Sequence, residues 1–172
     1  YSGTKFSCDE GWRFSDKLKI GCHPHASPLN LTESIAQSCN AYYCKTFRRI
    51  IEKYPNTEVG YNRWRDHILS FGLGDFLNND LYTGRKGRVP DVAFYDHQYG
   101  KRRWKAPTVI SLSIGQDALV VSPIQMANMC VAIANQGHYY TPHIVRKIGG
   151  ETLSDSTYTF PKYTSVDKKH FK

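Results

Sequence analysis

Glycine and proline are spaced along this 172-residue chain so that no regular element can run far. Gly3, Gly11, Gly21, Pro24 and Pro28 interrupt the first thirty residues, which read as irregular. Beyond them the breakers thin out and apolar residues recur at helical spacing. Asn30 can cap a short helix with Leu31, Ser34 and Ile35 inward, ending near Gln37. A second helix is expected from about Ala41 to Tyr54, with Tyr43, Phe47, Ile50, Ile51 and Tyr54 on one face and Pro55 as its stop. A third runs from about Tyr61 to Phe71, with Trp64, Ile68 and Phe71 in register, and closes at Gly72 and Gly74. Ser38-Cys39-Asn40 therefore falls between two helices.

From 75 to 108 the breakers return (Gly84, Gly87, Pro90, Gly100, Pro107), predicting a long excursion with short strands at most. Val109 to Ile114 is an apolar run of strand length. Ser122-Pro123-Ile124-Gln125 then sets Ser at N-cap, Pro at N1 and Gln at N3, which starts a helix. It continues through Ala127, Cys130, Val131 and Ala134, and Gly137 ends it. Residues 138–148 read as strand or extended chain. The pattern is α/β, mainly helical, with few short strands and no strong internal boundary.

Composition excludes several classes. With 40% hydrophobic and 22% charged residues the chain is globular rather than disordered. No stretch approaches 18 consecutive apolar residues. The net charge of +8 allows an acidic partner, but Lys101-Arg102-Arg103-Trp104-Lys105 and Arg85-Lys86-Gly87-Arg88 lie on no predicted helix and read as solvated loops. Nucleic acid is not expected as a partner. Five cysteines, an odd number, rule out a complete disulfide framework.

Chemistry concentrates at Ser38-Cys39-Asn40. A serine hydroxyl at a rigid tip can relay a proton during acyl transfer, and an Asn amide can hold a substrate backbone. The bland alternative is that Ser38 caps the next helix and Asn40 bonds nearby backbone. Cys8, Cys22, His25 and Cys39 form a second constellation, with thirteen residues between Cys8 and Cys22, two between Cys22 and His25, and thirteen between His25 and Cys39. Three thiolates and an imidazole suit tetrahedral zinc. A Cys8–Cys22 disulfide is the competing reading, with Cys39, Cys44 and Cys130 as small buried residues. His23 could stand in for His25. Both readings stay open on the sequence.

Landmarks spread along the chain resemble one family. The segment Leu31 to Tyr43 is similar to the S-x-N region of penicillin-binding transpeptidases. Phe71-Gly72-Leu73-Gly74 and Gly87-Arg88-Val89-Pro90 match F-G-x-G and G-x-x-P. Ser113-Ile114-Gly115-Gln116, Ser122 to Ala127, Ile133 to Gly137 and Pro142-His143-Ile144 follow in the order typical of elongation-type class B penicillin-binding proteins. Two positions depart from the pattern: Asp117 stands where the family usually has Gly, and Ser122 where it usually has Thr. Ser122 keeps the capping hydroxyl.

The resemblance implies the central part of a serine β-lactamase/transpeptidase-like fold, with residues 1–172 a partial transpeptidase domain. It implies a peptidoglycan D,D-transpeptidase that cross-links stem peptides through an acyl-serine and binds β-lactams, with Ser38 and Asn40 as its second motif. The family's S-x-x-K and K-[ST]-G are expected outside the chain. Ser2/Lys5 and Ser165/Lys168 have the first spacing but the wrong setting, so no nucleophile is assigned and the 172 residues alone are expected to be inactive. No cofactor is needed for this chemistry. Some elongation-type relatives carry a structural zinc near the S-x-N motif, which bears on the Cys/His set. The expected whole protein is anchored in the inner membrane by a segment outside this chain, with this domain periplasmic and working with the cell-elongation machinery. The rivals are a β-lactam sensor and a catalytically dead, zinc-stabilised cell-wall-binding module.

Overall fold

The computed structural model describes residues 3–15, 18–80 and 84–171. The chain divides into two compact units, residues 1–61 with 92–117 and residues 62–91 with 118–172.

In the first unit, β1 (Gly11–Arg13) and β2 (Lys19–Gly21) form a small antiparallel ribbon with Trp12 opposite Ile20. Phe6 and Leu29 exchange both backbone hydrogen bonds and so close the irregular N-terminal segment on itself. Helix α1 (Leu31–Ala36) starts as expected: Asn30 accepts from the Glu33 N–H while the Glu33 carboxylate accepts from the Asn30 N–H. Its inward residue is Ser34, whose hydroxyl donates to the Leu31 carbonyl; Ile35, expected inside, is 62% exposed. The helix is only six residues long, so a half-turn difference in register was enough to misplace Ile35.

Helix α2 (Asn40–Glu52) buries Ala41, Cys44, Phe47 and Ile51 along one stripe, with Tyr42 beside it. Each large apolar side chain so buried contributes about 2 kcal/mol of transfer free energy. Its partner is a 3-10 helix, Ala106–Ile114, and not the strand expected over Val109–Ile114. Pro107 lies in the first turn and Ala106, Val109, Ile110 and Leu112 are buried, so the run is apolar because it is packed, not because it is pleated. Helix α3 (Thr57–Ser70) starts four residues before the expected Tyr61. Helix α4 (Val92–Tyr99) was not legible at all within the breaker-rich stretch. It supplies Tyr95, which meets Tyr61 and Trp104 edge-on or tilted with ring centres 5.6 and 5.3 Å away. The Trp104 indole N–H donates to Asp96, 2.8 Å away. Asp117, in the family's glycine position, adopts φ 71° and accepts a hydrogen bond from the Tyr95 hydroxyl at 3.0 Å. Asp tolerates this left-handed backbone better than most residues. Burial keeps the Tyr95 hydroxyl protonated and donating.

In the second unit, α5 (Pro123–Ala134) has its expected capping box, but its buried face is Gln125, Asn128 and Ala132. Cys130, expected to be buried, and Val131 both point outward. The inner face is polar because it serves loops. Gln125 donates to the Asp75 and Lys86 carbonyls and accepts from the Ser122 N–H, and Asn128 donates to the Phe71 carbonyl. Strands β3 (His138–Tyr139) and β6 (Lys162–Tyr163) pair, as do β4 (Lys147–Ile148) and β5 (Glu151–Thr152). A short helix α6 (Ser156–Thr159) lies between β5 and β6.

Gly60 lies inside α3 against the Ile51 carbonyl, where an added Cβ would meet backbone that cannot swing aside. Gly60→Ala would gain about 1 kcal/mol of helix propensity. Overpacking against fixed backbone costs about 3 kcal/mol. The variant is therefore expected to lose about 2 kcal/mol, read as a lower urea midpoint; a rise in midpoint would contradict the packing.

Candidate functional site

Helix α1 ends in a Schellman turn, and that turn builds the tripeptide. The Cys39 N–H donates to the Ser34 carbonyl (3.0 Å) and the Ser38 N–H to the Ile35 carbonyl (3.1 Å). Ser38 occupies the left-handed position of the motif, φ 46°, where glycine is usual. A non-glycine residue there costs about 1–2 kcal/mol, and such strain clusters at functional sites. The turn leaves Ser38 exposed and Cys39 1% exposed. Ser38 does not cap α2: the N-cap is Cys39, which makes no side-chain cap bond. Asn40 opens α2, and its side-chain amide donates to the Gly21 carbonyl at 3.0 Å. The sequence gives no sign of that acceptor, since a backbone carbonyl leaves no residue signature.

Directly behind the tripeptide, Cys8, Cys22, His25 and Cys39 converge, with all four ligand atoms within 4.8 Å of one another. The Cys22 Sγ lies 3.4 Å from the His25 Nε2. His25 supplies the imidazole here, and the His25 Nδ1 bonds the Ala26 carbonyl at 2.7 Å, which leaves Nε2 directed at the thiols. The Gly11 N–H donates to the Cys8 Sγ, 3.3 Å away, and the Cys22 N–H to the Glu10 carbonyl. All five cysteines are free, so the Cys8–Cys22 disulfide is not formed. Cys44 is buried and receives the Ser113 hydroxyl at 3.2 Å, whereas Cys130, expected to be buried, is exposed.

The thiols differ in acidity. Burial alone would raise Cys22, but hydrogen bonds from the Asn40 backbone, His25 and the neighbouring thiols outweigh it and lower the group below its usual range. Burial pushes Cys39 up to about 12, with Cys8 and Cys22 adding to the effect. Three adjacent thiolates repel one another, so without a cation the set cannot be fully deprotonated. A divalent metal removes that conflict and binds the deprotonated forms. Soft sulfur donors with one imidazole, held by a buried residue and three half-buried ones, fit zinc in number and type.

Of the two S-x-x-K spacings, Ser2 lies outside the described residues. Ser165 has its hydroxyl 2.6 Å from the His67 Nδ1 and 3.1 Å from the Ser70 hydroxyl. His143 bonds the Thr141 carbonyl through Nδ1, a local backbone contact.

A helix-rich fold that presents S-x-N from a turn between two helices defines a class, the serine transpeptidase and β-lactamase-like proteins. A sequence model described as the penicillin binding protein transpeptidase domain matches residues 2–172, and the chain belongs to that family. It is 27% identical over 122 residues to the peptidoglycan D,D-transpeptidase MrdA of Acinetobacter baumannii, covering 71% of this chain and 17% of that protein. It is 26% identical over 145 residues to MrdA of Escherichia coli K12, covering 80% and 21%. The chain thus spans about a fifth of the length of these curated relatives. Among solved structures, Pseudomonas aeruginosa PBP2 in complex with WCK 5153 superposes with a TM-score of 0.79 at 20% identity, covering 99% of this chain and 37% of that one. PBP2 of Helicobacter pylori, in its complex with MreC, gives 0.73 at 21% identity, covering 99% and 29%. These establish the transpeptidase-like fold.

The strained turn makes a prediction of its own. Ser38→Gly relieves the left-handed penalty and is expected to stabilise the chain by about 1 kcal/mol in urea denaturation. Destabilisation would show that the hydroxyl, not the backbone, holds the turn.

Proposed function

We propose that this chain is the part of a peptidoglycan D,D-transpeptidase that carries the second active-site motif, with Ser38 relaying a proton and Asn40 binding the substrate backbone. The observation that carries the reading is the exposed, left-handed Ser38 beside an Asn40 whose amide is already held by the Gly21 carbonyl. A hydroxyl kept out of cap bonds is available to a reacting group, and the bond to Gly21 engages the amide nitrogen of Asn40, so that its carbonyl oxygen would be the atom to accept a substrate N–H. In the whole protein, a serine acylated by a D-Ala-D-Ala donor would pass its acyl group to an amine. The proton of the nucleophile would move through Ser38 to the departing D-Ala amine and leave with it, and in the second half-reaction the acceptor amine would give up a proton through Ser38 to the released serine oxygen. β-Lactams would acylate the same serine. The S-x-x-K and K-[ST]-G motifs would be supplied from outside residues 1–172, and the domain would work in the periplasm, anchored to the inner membrane. The complex of a fold relative, H. pylori PBP2, with MreC favours the elongation machinery as a partner.

In the whole protein, Ser38→Ala is expected to slow stem-peptide cross-linking by roughly 100-fold, the usual scale for a lost proton-transfer group. Circular dichroism checks that the variant is folded. A cross-linking rate within threefold of wild type would overturn the role of Ser38. The isolated 172 residues are expected to form no covalent adduct with labelled penicillin.

Cys8, Cys22, His25 and Cys39 would hold one structural zinc. The metal would supply no chemistry to the acyl transfer; its ligands would fix Cys39, and through it the residues on either side, to the ribbon carrying Cys22. Elemental analysis of protein purified without chelator is expected to give about one zinc per chain, retained by His23→Ala and lost by His25→Ala. Zinc-free protein of unchanged thermal stability would refute a structural metal.

A further inference from the structure

The ribbon β1–β2 and the flank of α2 enclose two adjoining clefts, of about 450 and 230 Å³, which share Ser7, Trp12 and Lys45. Their walls carry six basic residues (Lys5, Arg13, Lys19, Lys45, Arg48 and Arg49) against two acidic ones, Asp9 and Glu52. Glu52 is already bonded to Arg48 at 2.7 Å. The local excess of four positive charges is half of the net +8 of the entire chain.

Several of the cations are held in place. Lys45 Nζ donates to the Ser7 carbonyl (2.6 Å) and hydroxyl (3.2 Å). Lys45 and Arg48 lie 5.9 and 5.7 Å from the Trp12 ring centre, and Arg49 lies 4.5 Å from that of Phe6. Side chains stacked on aromatic rings lose little further freedom when they bind, so the cleft is pre-organised for anions. Gathering like charges on one surface is unfavourable by itself, and a polyanionic partner turns the repulsion into attraction.

We propose that this basic, aromatic-floored cleft is an accessory binding site for the carboxylate-bearing peptidoglycan strand, beyond the residues that react. The inference rests on the transpeptidase reading above. Three of the cations lie on α2, the helix that Asn40 begins. At 1.5 Å per residue, Lys45 to Arg49 stand about 7–14 Å along the axis from Asn40. A polymer engaged at Ser38 and Asn40 extends past that distance, and its stem peptides repeat carboxylates that these cations can pair with. A linear anion of this kind suits a joined pair of clefts better than a single compact ligand does.

The test is isothermal titration of the 172-residue chain with soluble, uncross-linked peptidoglycan strands, alongside the same strands with their carboxylates amidated and a single-stranded oligonucleotide of matched charge. Lys5 and Arg49 are both exposed, so the double variant K5E/R49E should fold, which circular dichroism checks. Wild type is expected to bind the native strands at least tenfold more tightly than K5E/R49E does and than it binds the amidated strands. Equal binding by K5E/R49E, equal binding of amidated strands, or no binding overturns the proposal. An oligonucleotide bound as tightly overturns it in favour of an unselective polyanion surface. If S38A slows cross-linking by roughly 100-fold in the whole protein but the strands do not bind here, the accessory site falls and the transpeptidase reading stands.

Discussion

The hydrogen bonds that end α1 hold this structure's chemistry in place. The Cys39 N–H reaches back to the Ser34 carbonyl and the Ser38 N–H to the Ile35 carbonyl, and the chain must turn left-handed at Ser38 to make both. That one turn fixes three neighbours in three different environments. Ser38 is thrown into solvent, Cys39 is sunk to 1% exposure, and Asn40 is set at the start of α2. Had glycine taken the left-handed position, the turn would be less strained, but there would be no hydroxyl at its tip. The same turn ends α5, where Gln136 is left-handed at φ 57°.

Cys39 links this turn to the N-terminal segment. It belongs to the small core of Phe6, Leu29, Ala41 and Tyr42, and its sulfur faces Cys8, Cys22 and His25. Gly21, next to Cys22, receives the Asn40 amide. The ribbon therefore holds the tripeptide through the Gly21 carbonyl, and the Cys and His side chains that flank the ribbon converge on Cys39. Residues 3–29 contain little regular structure and few buried apolar side chains, so on their own they have little to order them. The four Cys and His side chains bring that segment together beside the tripeptide.

Legibility varied with the kind of signal. The caps at Asn30 and Ser122 were readable because a capping box is a local reciprocal bond between residues three apart. The ligand set was readable because cysteine and histidine are few and their spacing is regular. The inner face of α5 was not readable because Gln125 and Asn128 are buried to serve the carbonyls of Phe71, Asp75 and Lys86, and a hydrophobic pattern cannot anticipate polar residues used that way. The run Val109–Ile114 was misread for the reverse reason: it is apolar throughout, and periodicity cannot separate a buried strand from a buried helical turn. Helix α4 was hidden because its side chains show almost no amphipathic contrast.

What the sequence determined by itself was the family, the positions of the main capped helices, the tripeptide and a Cys/His constellation, since each is written in residue types at short or regular spacing. Only the tertiary structure decided that His25 rather than His23 meets the thiols, that Ser38 is left-handed and free of the α2 cap, and that six cations share one cleft. Those outcomes depend on chain segments tens of residues apart being folded against each other, and on backbone carbonyls and φ angles that no side chain announces.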